Sequence, residues 1–381
     1  MSQFPLSRFE KLETPFYYYD LNLLDETLVT VKKCLKDFPN YQVHYALKAN
    51  NNPVIVDKIA KAGFGADCVS GGEIKLALEK GIHPDKIVYS GVGKTDKEIL
   101  LGIENNIGCF NVESFPELEN ISELAAKKGM TANVSIRINP DIDAHTHRFI
   151  TTGTAEDQFG IPSIYIDEIV EKALALPSVK LKGLHFHIGS QLTDMKPYRM
   201  LVERINEFIA RFKEKGIRFE TINVGGGLGI DYEEPDKYPI ADFRDYFKTF
   251  ADIDLQEAQL HFELGRAIVA QCGSLISRVL YIKRGVNRRF AVLDAGFNDL
   301  IRPALYEAHH LMQNLSNPNG VVDAYDVVGP ICESTDCFGR NVKVNELHRG
   351  DIIALRSAGA YGESMASTYN MRPLIQSHYS E

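Results

Sequence analysis

Short apolar runs alternate along this chain with longer stretches whose apolar residues recur every three to four positions. A first helical stretch at about residues 21–38 is followed by eight runs rich in Val, Ile, Phe and Tyr. They are YQVHYALK (41–48), GADCV (65–69), KIVYS (86–90), GCFNV (108–112), ANVSIRI (132–138), LKGLHFHI (181–188), FETINV (219–224) and LHFEL (260–264). The gaps include PVIVDKIAKAG, GGEIKLALEKG, TDKEILLGIEN, FPELENISELAAKKG, IYIDEIVEKALAL and YRMLVERINEFIARFKEKG, each with the period of an amphipathic helix. Strand–helix alternation predicts a parallel sheet. Eight units within roughly 225 residues suit closure into a (βα)8 TIM-like barrel, because closure removes exposed strand edges.

Beyond about residue 266 the texture changes. RVLYIKRG, RRFAVLDAG, AYDVVGP and GDIIALRSAG are β-like runs separated by Gly, Asn and Pro. The expected organisation is α/β plus all-β: a barrel over 21–265, and a C-terminal β-rich domain (barrel or sandwich) of 266–381 joined by residues 1–20. The strand-like TPFYYYD (14–20) is expected to pair with that second domain. The irregular segment 141–160 reads as a loop over the barrel mouth.

The composition is that of a globular protein, with 44% hydrophobic and 24% charged residues among 381. A net charge of −9 argues against nucleic acid and acidic membrane surfaces as partners. MSQFPLSRFE lacks the apolar core of a secretory signal, and no apolar run approaches the ~20 residues of a membrane span. The six cysteines form no CxxC pair, which reads as reduced thiols in a cytoplasmic protein.

Chemistry-bearing residues cluster at the C-terminal ends of the runs, where barrel enzymes build their sites. Lys48 ends the first run, Asp67 lies near the end of the second, and Arg137 is on the fifth. His187 ends the sixth, Gly225, Gly226 and Gly227 follow the seventh, and Glu263 ends the eighth. A lysine ending an apolar strand must snorkel, pair or react, and desolvation would make it a nucleophile toward aldehydes. Consecutive glycines let several N–H groups face one anion, although a flexible turn has the same sequence. Glu263 could keep a ring nitrogen protonated or form a salt bridge with Arg266. His185 and His187, on one face of a strand, could be a metal pair, a ring stacked on a planar cofactor, or packing. No third ligand is evident, so no metal is expected. In CESTD (332–336), cysteine followed by a carboxylate could be a proton donor beside an ammonium binder, or a plain turn.

Together and in this order, YALKAN, GADCVSGGE, HFHIGSQ, NVGGGLG, ELGR, DAGFNDLIRPALY, GPICESTD and GAYGESMASTYN resemble the motifs of fold-type III pyridoxal-phosphate (PLP) decarboxylases. The resemblance runs from Thr14 to Pro373. It implies that Lys48 bonds the PLP aldehyde, that His187 stacks on the ring and that Glu263 pairs with its nitrogen. Ser190 and Gly225–Gly227 would bind the phosphate beside Arg266; Asp67, Arg137, Gly265 and Tyr361 would line the cofactor. Cys332 would be the proton donor, supplied by the other subunit of a homodimer with shared active sites. For substrate it implies Arg302 and Tyr306 on a carboxylate, Glu333 on a distal ammonium, and Arg266 and Tyr361 nearby. A planar guanidinium suits a second carboxylate, so the implied activity is decarboxylation of meso-2,6-diaminopimelate to L-lysine. The alternatives are a relative acting on ornithine, arginine or carboxynorspermidine, a metal-dependent barrel hydrolase using His185 and His187, and a non-catalytic PLP-binding protein. Three positions depart from the family pattern: Leu264 for proline, Thr335 for glycine and Gln158 for lysine.

Overall fold

The computed structural model describes residues 4–142 and 158–381. Most of the loop expected over the mouth, 143–157, lies outside the described residues. The chain divides into two units. One comprises Leu28–Gly229 and Asp242–Gly265; the other comprises Met1–Thr27, Ile230–Ala241 and Arg266–Glu381. Residues 230–241, contiguous in sequence with the barrel, thus group with the second unit.

The first unit is a closed parallel barrel. Its strands are β1 (Tyr41–Ala46), β2 (Gly65–Cys68), β3 (Ile87–Tyr89), β4 (Cys109–Val112), β5 (Ala132–Asn139), β6 (Val179–His185), β7 (Thr221–Asn223) and β8 (Gln259–Leu264). Each predicted run overlaps one strand. Neighbours pair in parallel all the way round, and β8 closes on β1. β2, β3 and β4 are buried along their whole length, which is why they read as unbroken apolar runs rather than alternating ones.

Three successive strand–helix turns stop and start the same way. Ser70, Thr95 and Ser114 cap helices Gly71–Glu79, Asp96–Glu104 and Phe115–Lys127 by accepting the N–H of a glutamate three residues on. That glutamate turns back: Glu73 accepts from Val69 N–H at 2.7 Å and Glu117 from Glu113 N–H at 2.8 Å. Each cap satisfies helix-end donors and is worth about 1 kcal/mol. The turns that present site residues are therefore fixed locally.

The N-terminal end of the barrel is unusual. Gln42, His44, Asn133, Ser135, Gln259 and His261 line a cavity of about 680 Å³ there, where branched apolar side chains normally pack. His44 Nδ1 donates to the Lys86 carbonyl at 3.0 Å, so its Nε2 accepts from His261 Nδ1 at 3.2 Å. Burial first, and then the neighbouring His44, push His261 down to about 3.

The second unit is built on one long strand, Gly273–Arg284. Its first half pairs antiparallel with Phe16–Tyr19 and with Ile352–Leu355; its second half pairs with Arg289–Leu293 after a register shift between Val279 and Tyr281. Phe16–Tyr19 also pairs in parallel with Gln376–Tyr379. Val322–Val328 and Cys337–Asn345 extend the sheet beyond Arg289–Leu293, and Met312–Asn314 extends it beyond Ile352–Leu355. Phe9, Phe16, Tyr18, Ile276, Ile352 and Ala354 form a buried cluster on this sheet, with Phe9 meeting Tyr18 edge-on at 4.9 Å.

Candidate active site

In the barrel unit the site centres on Glu263, the penultimate residue of β8. Its carboxylate is 8% exposed. Oε1 accepts from Asn223 Nδ2 at 2.7 Å and from Asn111 Nδ2 at 3.0 Å, and Oε2 faces His185 Nε2 at 3.1 Å. Burial would raise this carboxyl, but His185 and the Asn223 hydrogen bond outweigh it and hold it well below the usual range. Asp67, on β2, is driven the other way by burial and by the Glu263 charge. It accepts from Ser90 Oγ at 2.8 Å, and Ser90 accepts from Asn111 at 2.9 Å. One hydrogen-bonded string therefore links a carboxyl that is pushed up to one that is held down, and such a divergence separates two proton roles in known sites.

His187 lies past the end of β6, in the following loop; the strand ends at His185. The two histidines are thus not the strand-borne pair expected from HFHIGSQ. His187 Nδ1 accepts from Gly226 N–H at 3.3 Å, which places the ring proton on Nε2. Burial, then Arg137 and Lys48, push His187 well below its ordinary value, so it is a neutral, flat ring. His185 gives Nε2 to Glu263, and its buried Nδ1 has no hydrogen-bond partner among the described residues. Among the described residues no group of three His, Cys, Asp or Glu side chains is arranged to hold a metal.

Gly225–Gly227 form a loop that no side chain could enter. Gly225 and Gly227 have φ of +71° and +99°. A Cβ on Gly226 would stand 2.0 Å from the Glu263 carbonyl, and one on Gly225 would stand 2.5 Å from the Phe186 carbonyl. The Glu263 N–H donates to the Gly225 carbonyl at 2.7 Å, tying the loop to β8. Ser190 lies on the adjoining loop after β6. A Cβ on Gly265 would stand 2.9 Å from that of Ala49. Arg137 is engaged by Glu113 at 2.9 Å and lies over the Phe159 ring. Lys48 sits in a single turn (Leu47–Ala49) just beyond β1, and its side chain is exposed. The desolvation expected for it is absent, because the strand ends two residues before it. Gln158 is also exposed.

In the β-rich unit, Arg266 and Arg302 are 7% and 5% exposed. Arg266 Nη1 donates to Tyr232 Oη at 2.7 Å, and its guanidinium lies 4.9 Å from the centre of the Tyr361 ring. Tyr361 holds φ +57°, a left-handed conformation unusual for a bulky residue. Arg302 opens the short helix Arg302–Tyr306, which places Tyr306 one turn along the same face. Burial and the neighbouring Arg266 pull Arg302 below its ordinary value. In CESTD, Asp336 is structural: its carboxylate accepts from Ile331 N–H at 2.6 Å and Phe297 N–H at 2.8 Å. Cys332 is exposed, with its N–H donating to Asn370 at 3.2 Å. Glu333 accepts from Tyr369 Oη at 2.6 Å.

Comparison with known proteins settles the family. Residues 24–270 match the profile described as "Pyridoxal-dependent decarboxylase, pyridoxal binding domain". The chain belongs to the pyridoxal-dependent decarboxylases. It is 55% identical over 380 residues to a protein of Bacteroides thetaiotaomicron named diaminopimelate decarboxylase, covering 99% of this chain and 98% of the relative. The Helicobacter pylori diaminopimelate decarboxylase, solved in complex with L-lysine, superimposes with a TM-score of 0.93 at 40% identity, covering 99% of this chain and 94% of that one. A Vibrio vulnificus lysine/ornithine decarboxylase has the same fold, with a TM-score of 0.83 at 21% identity over 99% of this chain and 97% of that one.

Pyridoxal phosphate is the cofactor of this family, and the barrel unit suits it. A lysine exposed to solvent lies just beyond β1, a glycine loop excludes side chains, a neutral imidazole abuts that loop, and a buried carboxylate is held down. Sequence reasoning missed Asn111, Asn223, Ser90 and Glu113. Both asparagines stand next to last in apolar runs, GCFNV and FETINV, and that position was the available signal.

Proposed function

We propose that the protein decarboxylates meso-2,6-diaminopimelate to L-lysine and CO2, the closing step of lysine biosynthesis. The observation that carries this reading is Arg302: a buried guanidinium with no carboxylate in ion-pair range among the described residues. A decarboxylase for a plain diamine precursor has no use for such a group, whereas diaminopimelate retains a second carboxylate after CO2 leaves. Tyr306 serves the same carboxylate, and Glu333 the distal ammonium.

Lys48 would hold the cofactor's aldehyde, Ser190 and Gly225–Gly227 with Arg266 its phosphate, His187 a ring face and Glu263 its ring nitrogen. Asp67, Arg137, Gly265 and Tyr361 would complete its surroundings. When bound, the cofactor supplies a sink for the electron pair left by departing CO2. Glu263, held anionic with three donors on it, would use its remaining acceptor capacity to keep a proton on a ring nitrogen placed against it. The Cys332 thiol then gives its proton to the carbon that lost CO2. Cys332 and Glu333 are exposed in the single chain, which supports a homodimer in which each serves the partner's site. All six cysteines are unpaired, and we assign the enzyme to the cytoplasm. No helix among the described residues is long and apolar enough to cross a membrane.

Incubation with pyridoxal phosphate and meso-diaminopimelate tests the reading directly. Equimolar L-lysine and CO2 are expected; turnover of ornithine at a comparable rate would overturn it.

A further inference from the structure

The arginine that selects the substrate is itself held in an orientation, and the groups that hold it are not among those assigned above. Arg302 makes one hydrogen bond among the described residues, from Nη1 to His310 Nε2 at 2.8 Å. Its Nε is buried without a partner. One face of the guanidinium lies 4.8 Å from the centre of the Tyr232 ring. Tyr232 is fixed in turn, because its hydroxyl accepts from Arg266 at 2.7 Å and its ring meets His310 edge-on at 5.3 Å.

His310 is 1% exposed, and the backbone settles its tautomer. Its Nδ1 stands 2.8 Å from the Arg356 carbonyl, which can only accept, so Nδ1 bears the proton and Nε2 offers a lone pair to Arg302. A protonated imidazole there would place two cations 2.8 Å apart. Burial and the Arg302 charge keep the ring neutral by pushing it down to about 3.

A carboxylate can meet a guanidinium with two parallel bonds at either of two edges, Nη1–Nη2 or Nε–Nη2. Nη1 is drawn to His310, and the edge with both donors unclaimed is Nε–Nη2. We infer that the carboxylate retained by the substrate docks side-on against the Nε–Nη2 edge of Arg302, and that His310 and Tyr232 are positioning residues that present this edge. The inference rests on the substrate proposed above and adds the orientation and the two residues that enforce it.

The test uses the holoenzyme and two ligands titrated by calorimetry: L-lysine, which keeps that carboxylate, and cadaverine, which lacks it. In His310→Asn the shorter amide can still donate to the Arg356 carbonyl but no longer reaches Arg302. In His310→Gln the longer amide reaches Arg302. His310→Asn is expected to weaken L-lysine by about tenfold, the loss of one charge-assisted bond, and to leave cadaverine unchanged. KM for diaminopimelate should rise by a similar factor while kcat falls far less. His310→Gln should restore most of both. Equal weakening of lysine and cadaverine, or no weakening of lysine, overturns the inference. Should His310→Asn fail to fold, Tyr232→Leu makes the same comparison, with the same two outcomes. Arg302→Ala separates this inference from the reading beneath it. If that variant leaves L-lysine affinity intact, the carboxylate assignment itself falls. If it weakens lysine while His310→Asn does not, only the positioning role falls.

Discussion

Glu263 and Arg302 are both buried ions, and they are treated in opposite ways. Glu263 has two amides and an imidazole on its two oxygens. Arg302 has one neutral acceptor, one aromatic face and a bare Nε. A buried charge left short of partners costs several kcal/mol unless something arrives to complete it. Under the proposed function, the contrast teaches that a group meant for a resident cofactor is finished by the fold, whereas a group meant for a passing substrate is left incomplete. On that proposal selectivity would follow, because a ligand without a carboxylate would leave Arg302 buried and unanswered.

The comparison can be broken at its most demanding point by removing the residue proposed to bond the cofactor. Lys48→Ala should lose the absorbance band that borohydride bleaches in the parent, and activity should fall at least about a thousandfold. An undiminished, bleachable band in the variant would sink the assignment. Next in size is Arg302→Ala, which should lower kcat/KM for diaminopimelate at least about a hundredfold while cofactor affinity holds, since a bidentate charged contact is lost. Parallel loss of cofactor and substrate binding would mean that Arg302 serves the fold instead.

A third experiment asks whether Lys48 and Cys332 serve a site from one chain or from two. Inactive Lys48→Ala and inactive Cys332→Ala subunits are mixed in equal amounts and allowed to exchange. In a shared-site homodimer about half the dimers are mixed, each with one intact site of two, so activity should return to roughly one quarter of the parent value. Demonstrated exchange without recovery excludes shared sites.

The smallest effect concerns the donors on Glu263. Because its folded pKa is depressed, Glu263 contributes stability that is present above the unfolded glutamate value of about 4.3 and is lost as pH falls through the folded value. Asn223→Ala removes one donor, raises the folded value and should shift acid unfolding to higher pH, with a cost of about 1–3 kcal/mol at neutral pH. Circular dichroism against pH measures it, and an unmoved midpoint would show that the amide does not support the charge.

Much of the barrel was legible because buried parallel strands must be apolar on both faces, so β1 to β8 stand out as runs. The second unit was less so. Met312–Asn314 and Gln376–Tyr379 are short and mixed in polarity, and they are strands only because partners lie beside them. Residues 230–241 group by contacts that no local pattern encodes. At the candidate site, the sequence singles out residues with charge or special backbone freedom, whereas Asn111 and Asn223 passed unnoticed. A neutral amide looks the same whether it caps a turn or holds a carboxylate. The exposure of Lys48 was misjudged because strand ends, which decide it, are the least certain part of a sequence reading.

The pairing of Phe16–Tyr19 with Gly273–Arg284 on one side and Gln376–Tyr379 on the other bears on how the chain is made. Tyr19 leaves the ribosome hundreds of residues before Tyr379. At about 5–20 residues per second, the delay is on the order of 20–70 seconds. The barrel strands, all nearer neighbours in the chain, can close within that interval. FYYY, four consecutive residues buried in the finished fold, gains one partner when Gly273–Arg284 is made but must wait for Gln376–Tyr379 to cover its other edge. Until that last segment is made, an apolar strand with an unpaired edge is the kind of surface that invites pairing with another chain.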